Sequence, residues 1–138
     1  MNLVEVTYVD GFVEGQGLRL PVSAPDRKAL DNAGYNGKKI IFGIRPEDIK
    51  TEQIALDASP DTVLNPTITV SELTGAESIL YLAFGGKELT AVVDARDYHK
   101  PGTSLEVAFN MTKAHFFDGE TEQVIRKRTA KAVAEATV

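Results

Sequence analysis

The stretch "IIFGIRPEDIK", Ile40–Lys50, decides how the chain is read. With its preceding lysines it opens as a strongly apolar strand, "KKIIFGI", and stops at Pro46, which cannot continue a strand ladder. Arg45, Glu47 and Asp48 crowd the stop. Downstream by 65 residues, "SLEVAFNMTKA" repeats the shape without the arginine or the acids. Both places read as a strand closed by a single helical turn. The closure is structural in both copies, and the charges are an addition in the first.

The match extends outward. Val4, Val6, Val9 and Gly11 find Ile68, Val70, Leu73 and Gly75 at an offset of 64, and Gly37, Ile40, Phe42 and Ile44 find Gly102, Leu105, Val107 and Phe109 at 65. Two copies are too few, and the period too long, for a solenoid. Two β-modules of about 60 residues, each marginal alone and sharing one core, fit better.

Between these landmarks the first 22 residues read as strand, turn, strand: "LVEVTYV" alternates, "GFVEGQG" supplies turn glycines, "LRLPV" alternates again. "DRKALDNAG", Asp26–Gly34, reads as one short helix with an acidic start and a glycine stop. Residues 50–66, with Pro60 and Pro66, read as a linker. "TITVSEL", "SILYLAF", "ELTAVVD" and "SLEVAF" are strands, with "FGGKE" as a hairpin turn. "DARDYHKPGT" is a loop, and "HFFDGETEQVI" is a short strand, a turn at Asp118-Gly119 and another short strand.

The chain has 138 residues and no cysteine, which excludes a disulfide scaffold and a thiolate zinc site and fits a reducing compartment. It opens without a basic, apolar leader, and its longest apolar run, "ILYLAF", is far short of the ~20 residues that span a bilayer. Residues 1–125 carry 11 basic and 19 acidic groups, a net −8, a poor match to phosphate backbones. The basic tail, 126–138, reads as a frayed helix or a disordered end.

No motif carries catalysis. "GQGLRL" lacks the third glycine and the helix of a dinucleotide fingerprint, and "GGKE" lacks the upstream glycine and the Ser or Thr of a phosphate loop. His99 and His115 are too few and too far apart for a metal site. Arg45, Glu47 and Asp48 are the best polar candidates, with two readings open. In one, Arg45 pairs with a nearby acid and Glu47 opens a helical turn after Pro46. In the other, the corner docks another domain or subunit. "SILYLAF" is apolar on both faces, so Tyr81 and Phe84 are candidates for an interface core.

At "FGIRPEDI" the chain resembles the C-terminal regulatory region, with its TOBE domain, of the ATPase subunits of bacterial sugar ABC importers of the maltose and multiple-sugar type. Gly43, Ile44, Arg45, Pro46 and Glu47 match the family's "GIRPE". Met1, Asn2 and Leu3 match its "MNF/MNL" opening. "VSELTGAESILYL", "VDARDYHKPGTSLEVAF" and "AHFFDGET" match its second half, with Phe116 where the family commonly has Leu. The resemblance implies a mainly β fold of two interwoven OB-like barrels over residues 1–125, with half-repeats of about 1–58 and 64–125. It also implies a non-catalytic regulatory and dimerisation role without its own ATP chemistry or cofactor. The implied partners are the ATPase domain of the same subunit, a homodimer partner and, in some members, a regulatory protein. Nucleic acid is not expected, and the membrane is met only indirectly, from the cytoplasmic side. Arg45, Glu47, Asp48, Tyr81, Phe84, His115 and Phe116 are the docking or interface candidates. Related barrels bind molybdate, so a small oxyanion is the alternative ligand.

Overall fold

The computed structural model describes residues 1–97 and 99–125; the basic tail lies outside them. The chain is mainly antiparallel β. Strands β1 (Asn2–Val9), β2 (Phe12–Gly15), β3 (Leu18–Pro21), β4 (Lys39–Ile44) and β11 (His115–Asp118) form a five-stranded sheet in the order β11-β4-β1-β2-β3. Strands β5 (Ile49–Lys50), β6 (Val63–Leu64) and β10 (Val107–Phe109) form a second sheet, β5-β10-β6. Strands β7 (Thr67–Thr74), β8 (Glu77–Ala83) and β9 (Glu88–Asp94) form a third.

Alternation explains the strands that were legible. In β1, Val4, Val6 and Tyr8 point inward and are buried, while Leu3 and Glu5 face out. In β8, Leu80 and Leu82 are buried and Ile79 and Tyr81 are half-buried on the other face. Helix α1 (Ala24–Asn32) begins at Ser23, whose Oγ donates to Asp26 Oδ2 at 2.9 Å, and it has a proline in its first turn. It buries Asp26, Ala29 and Leu30.

Three expectations change. "GFVEGQG" is not all turn: Phe12–Gly15 is β2, with turns at Asp10-Gly11 and Gln16-Gly17 on either side. Residues 50–66 are not a linker. They contain the end of β5, a second short helix α2 (Gln53–Ala58), a 3-10 turn (Pro60–Thr62) and β6. The second short strand of "HFFDGETEQVI" shrinks to a single bridge between Phe117 and Val124.

The repeat appears as exchanged strands. In each copy a strand runs into a 3-10 turn and out into another strand: β4, Pro46–Asp48, β5, and then β10, Met111–Lys113, β11. The outgoing strand pairs with the incoming strand of the other copy. His115 of β11 lies opposite Gly43 of β4, and Lys50 of β5 lies opposite Ala108 of β10. A shift of 65 turns one pair into the other, so a single register is used twice.

The first strands repeat less strictly than the hydrophobic match suggested. The amide of Gly37 donates to Tyr8 O at 2.7 Å, and that of Gly102 donates to Ile68 O at 2.7 Å. This equates Ile68 with Tyr8 rather than with Val4.

One core serves both copies. Phe42 of β4 stacks on Phe116 of β11 with centroids 5.8 Å apart, and lies 6.3 Å from Phe109 of β10. Phe109 in turn meets Phe84 edge-on at 5.7 Å. Removing such a ring costs ~3–5 kcal/mol, and here the loss would fall on both copies at once. The hairpin turns interlock as well: a Cβ on Gly17, at φ +82°, would run into the carbonyl of Phe84.

Candidate docking site

Pro46 ends β4 because it has no amide to offer the ladder, and its fixed φ opens the 3-10 turn Pro46–Asp48. Glu47 and Asp48 sit in that turn, where the exposed amides favour acids. Arg45, just before it, is extended (φ −76°, ψ 149°) and exposed. Among the described residues neither Arg45 nor Glu47 makes an ion pair, so the pairing of Arg45 with a nearby acid is not found there.

The two corners differ in a backbone bond. The amide of Asn110 donates to Asp48 O at 2.9 Å, joining the second corner to the first. The symmetric partner, from Arg45 N–H to Lys113 O, is not made among the described residues. On that side lies an open cleft of about 440 Å³. Arg45, Asp48, Lys113 and His115 give it a rim of both charges; Phe116 and Ile125 contribute apolar wall; Asp26 reaches it from α1. The corresponding depression beside Asn110, lined by Lys50, Glu52 and Phe109, is about 240 Å³.

Of the expected site residues, the cleft brings together Arg45, Asp48, His115 and Phe116. Glu47 is exposed on the same turn. Tyr81 is far along the chain on the outer face of β8, half-buried. Phe84 and Phe116 are 5% and 2% exposed and are core rings: Phe116 stacks on Phe42 of the first copy, and Phe84 meets Phe109 edge-on within the second. Any part they take in a contact is through the surface they support. Asp26 and Lys113 were missed. Lys113 stands where Asp48 stands in the first copy, a signal the repeat carried. The burial of Asp26 at 2% had no sequence signal.

Tyr35, on the loop after α1, donates its hydroxyl to Asp118 Oδ2 at 2.6 Å. That bond, with the amides of Thr121 and Glu120, holds the Asp118 carboxyl at about 2, and the same bond pushes the Tyr35 phenol up. Among the described residues no three His, Cys, Asp or Glu side chains gather as a metal site, and no helix is long and apolar enough to cross a membrane.

Comparison with known proteins places this geometry. Residues 1–49 match the MalK OB fold domain, and residues 42–117 match the TOBE domain. The two matches overlap on the first corner. The chain is 45% identical over 127 residues to the multiple sugar-binding transport ATP-binding protein MsmK of Streptococcus mutans, covering 91% of this chain and 34% of that protein. It is 40% identical over 126 residues to the oligosaccharides import ATP-binding protein MsmX of Bacillus subtilis, again covering 91% and 34%. It thus spans about a third of the length of these relatives. A crystal structure of the cytoplasmic molybdate-binding protein ModG superposes with a TM-score of 0.68 over 83% of this chain and 94% of that one, at 19% identity, a likeness of fold. The chain belongs to the TOBE domain family, its N-terminal part being the OB fold of the MalK type.

Proposed function

We propose that residues 1–125 form the non-catalytic regulatory and dimerisation unit of the ATP-binding subunit of a bacterial carbohydrate ABC importer, working at the cytoplasmic face of the membrane. The observation that carries this reading is the alignment of nearly the whole chain with one third of MsmK and MsmX. In this reading the remaining two thirds supply ATP chemistry, and this unit holds subunits together and receives signals. The cleft at Arg45, Asp48, Lys113 and His115 is the docking point for the ATPase half or a partner subunit. Its mixed charge suits a protein surface carrying both signs, where such groups fix register and exclude wrong partners.

A chimera tests it. The matching third of MsmX is replaced by this chain, and ATP-dependent sugar uptake is measured in cells lacking their own MsmX. Uptake near that of the parent is expected; a stable chimera that supports none would remove the reading.

A second reading is a small-oxyanion site, favoured by the three basic groups Arg45, Lys113 and His115 around one cleft. Asp26 and Asp48 in the same cleft oppose an anion. A rise in melting temperature that scales with molybdate concentration would support this reading over docking.

A further inference from the structure

Strand β7 pairs with β8 along its whole length. On its other side, among the described residues, it is engaged only at its start: Ile68 N–H donates to Thr103 O at 2.9 Å, Ile68 O accepts from Gly102, and Thr67 bridges to Ser104. From Val70 to Thr74 that side has no strand beside it among the described residues. The hairpin closes between Thr74 and Glu77 on a two-residue turn, so hydrogen-bonded pairs fall at 74/77, 72/79 and 70/81. Ser71 and Leu73 therefore turn their amides and carbonyls to the open edge.

Such an edge is a template for another strand unless it is short, bulged away or guarded by charge. This one keeps Val70 44% and Leu73 61% exposed. Its register irregularity lies between Ile68 and Val70, before the open stretch. On the strands themselves the charge has one sign. The three strands of the sheet carry Glu72, Glu77, Glu88 and Asp94 and no lysine or arginine. Asp94 is engaged by Arg96 and Glu88 accepts from Thr69, but Glu72 and Glu77 have no cation partner among the described residues.

A second copy pairing antiparallel through this edge, centred on Glu72, would set that carboxylate against its own image, which costs stability. We infer that the β7 edge, Val70–Thr74, docks an extended, basic, alternately apolar segment of another protein by strand addition. Backbone bonds to Ser71 and Leu73 would hold it; on one face its apolar side chains would meet Leu73, and on the other, the face of Val70, its lysines or arginines would answer Glu72 and Glu77. This surface is separate from the corner cleft and does not depend on the role given to that cleft.

The probe is the synthetic peptide acetyl-KVKVKV-amide, titrated into the full chain and read by amide hydrogen exchange. Exchange at Ser71 and Leu73 is expected to slow by about tenfold or more at saturation. Methylating alternate peptide nitrogens should abolish binding, and replacing the lysines with glutamates should weaken it by about tenfold. Ser71→Pro removes one edge donor and should abolish the slowing at Leu73. Should that variant fail to fold, Leu73→Lys keeps the backbone, takes the apolar contact away from the peptide's valines and should weaken the lysine peptide. Unchanged exchange at Ser71 and Leu73, equal binding of the glutamate peptide, or unaltered binding by Leu73→Lys would each overturn the proposal. So would a chain dimer, seen by sedimentation without peptide, that Ser71→Pro dissolves, since a second copy would then hold the edge.

Discussion

The corner at Arg45–Lys50 and the corner at Asn110–His115 use one backbone plan: incoming strand, 3-10 turn, outgoing strand given to the other copy in the same register. They part at the side chains and at one hydrogen bond. The second corner is tied to Asp48 O through the Asn110 amide; the first lacks the matching bond and opens a cleft nearly twice as large. Two residues before Arg45, Gly43 stands where the second copy has Ala108, and a Cβ there would press on Met1, Leu3 and Phe117. The shared features are those the exchanged sheet needs. The unshared ones, Arg45, Glu47 and the missing bond, are not needed for closure, which leaves them free for the contact proposed above.

The hardest way to break the comparison is to separate the copies. Because β5 needs β10 and β11 needs β4, the fragment 1–58 should give no cooperative melt by circular dichroism. A sharp two-state transition from that fragment would show that the copies are independent barrels.

Next comes the interlock of the hairpin turns. Gly17→Ala adds strain at positive φ and a collision with the Phe84 carbonyl, and should cost ~3 kcal/mol or more in a urea melt. Gly37→Ala, also at positive φ but with open space around it, should cost less. Equal losses would mean that backbone strain, not the contact between copies, matters at Gly17.

A smaller effect sits in the Tyr35–Asp118 bond, which ties the first copy to the second and has no counterpart, since the repeat puts Lys100 and Gln53 at those places. A carboxyl whose folded value is depressed stabilises the fold above its unfolded value and loses that contribution as pH falls through the folded one. The stability gap between the chain and Tyr35→Phe should therefore be full above about pH 4 and close as pH falls through about 2. A gap independent of pH across that window would remove the charged form of Asp118 from the account.

How much of this was visible in the residues follows from what a period can encode. Strands of six to eight residues with one buried face, such as β1, β4, β8 and β9, announce themselves by alternation. β5 and β6 have two residues each and cannot alternate, and α2 buries no residue, with Ile54 80% exposed, so the segment read as a linker. The repeat was visible but its register was not: alternation matches at any even shift, and the hydrogen bonds equate Ile68 with Tyr8 rather than Val4. At the site, "RPED" marked the charged corner, but the cleft needs β11 and α1 brought beside it, and nothing local to Asp26 or Lys113 says so. Phe84 read as an interface ring because a strand that is apolar on both faces does not say which face the core of its own chain covers.

The smallest stability effect belongs to the central claim. Arg45 is exposed and pairs with no acid among the described residues, so Arg45→Ala should change the melt of the isolated chain by about 0.5 kcal/mol or less. The direct test is sedimentation of the MsmX chimera carrying Arg45→Ala, set against Asn110→Ala at the same place in the second copy. Arg45→Ala is expected to weaken assembly of the full-length subunit while Asn110→Ala leaves it near the parent. Equal assembly of both variants and the parent would contradict this and return the charged corner to a solvated strand end.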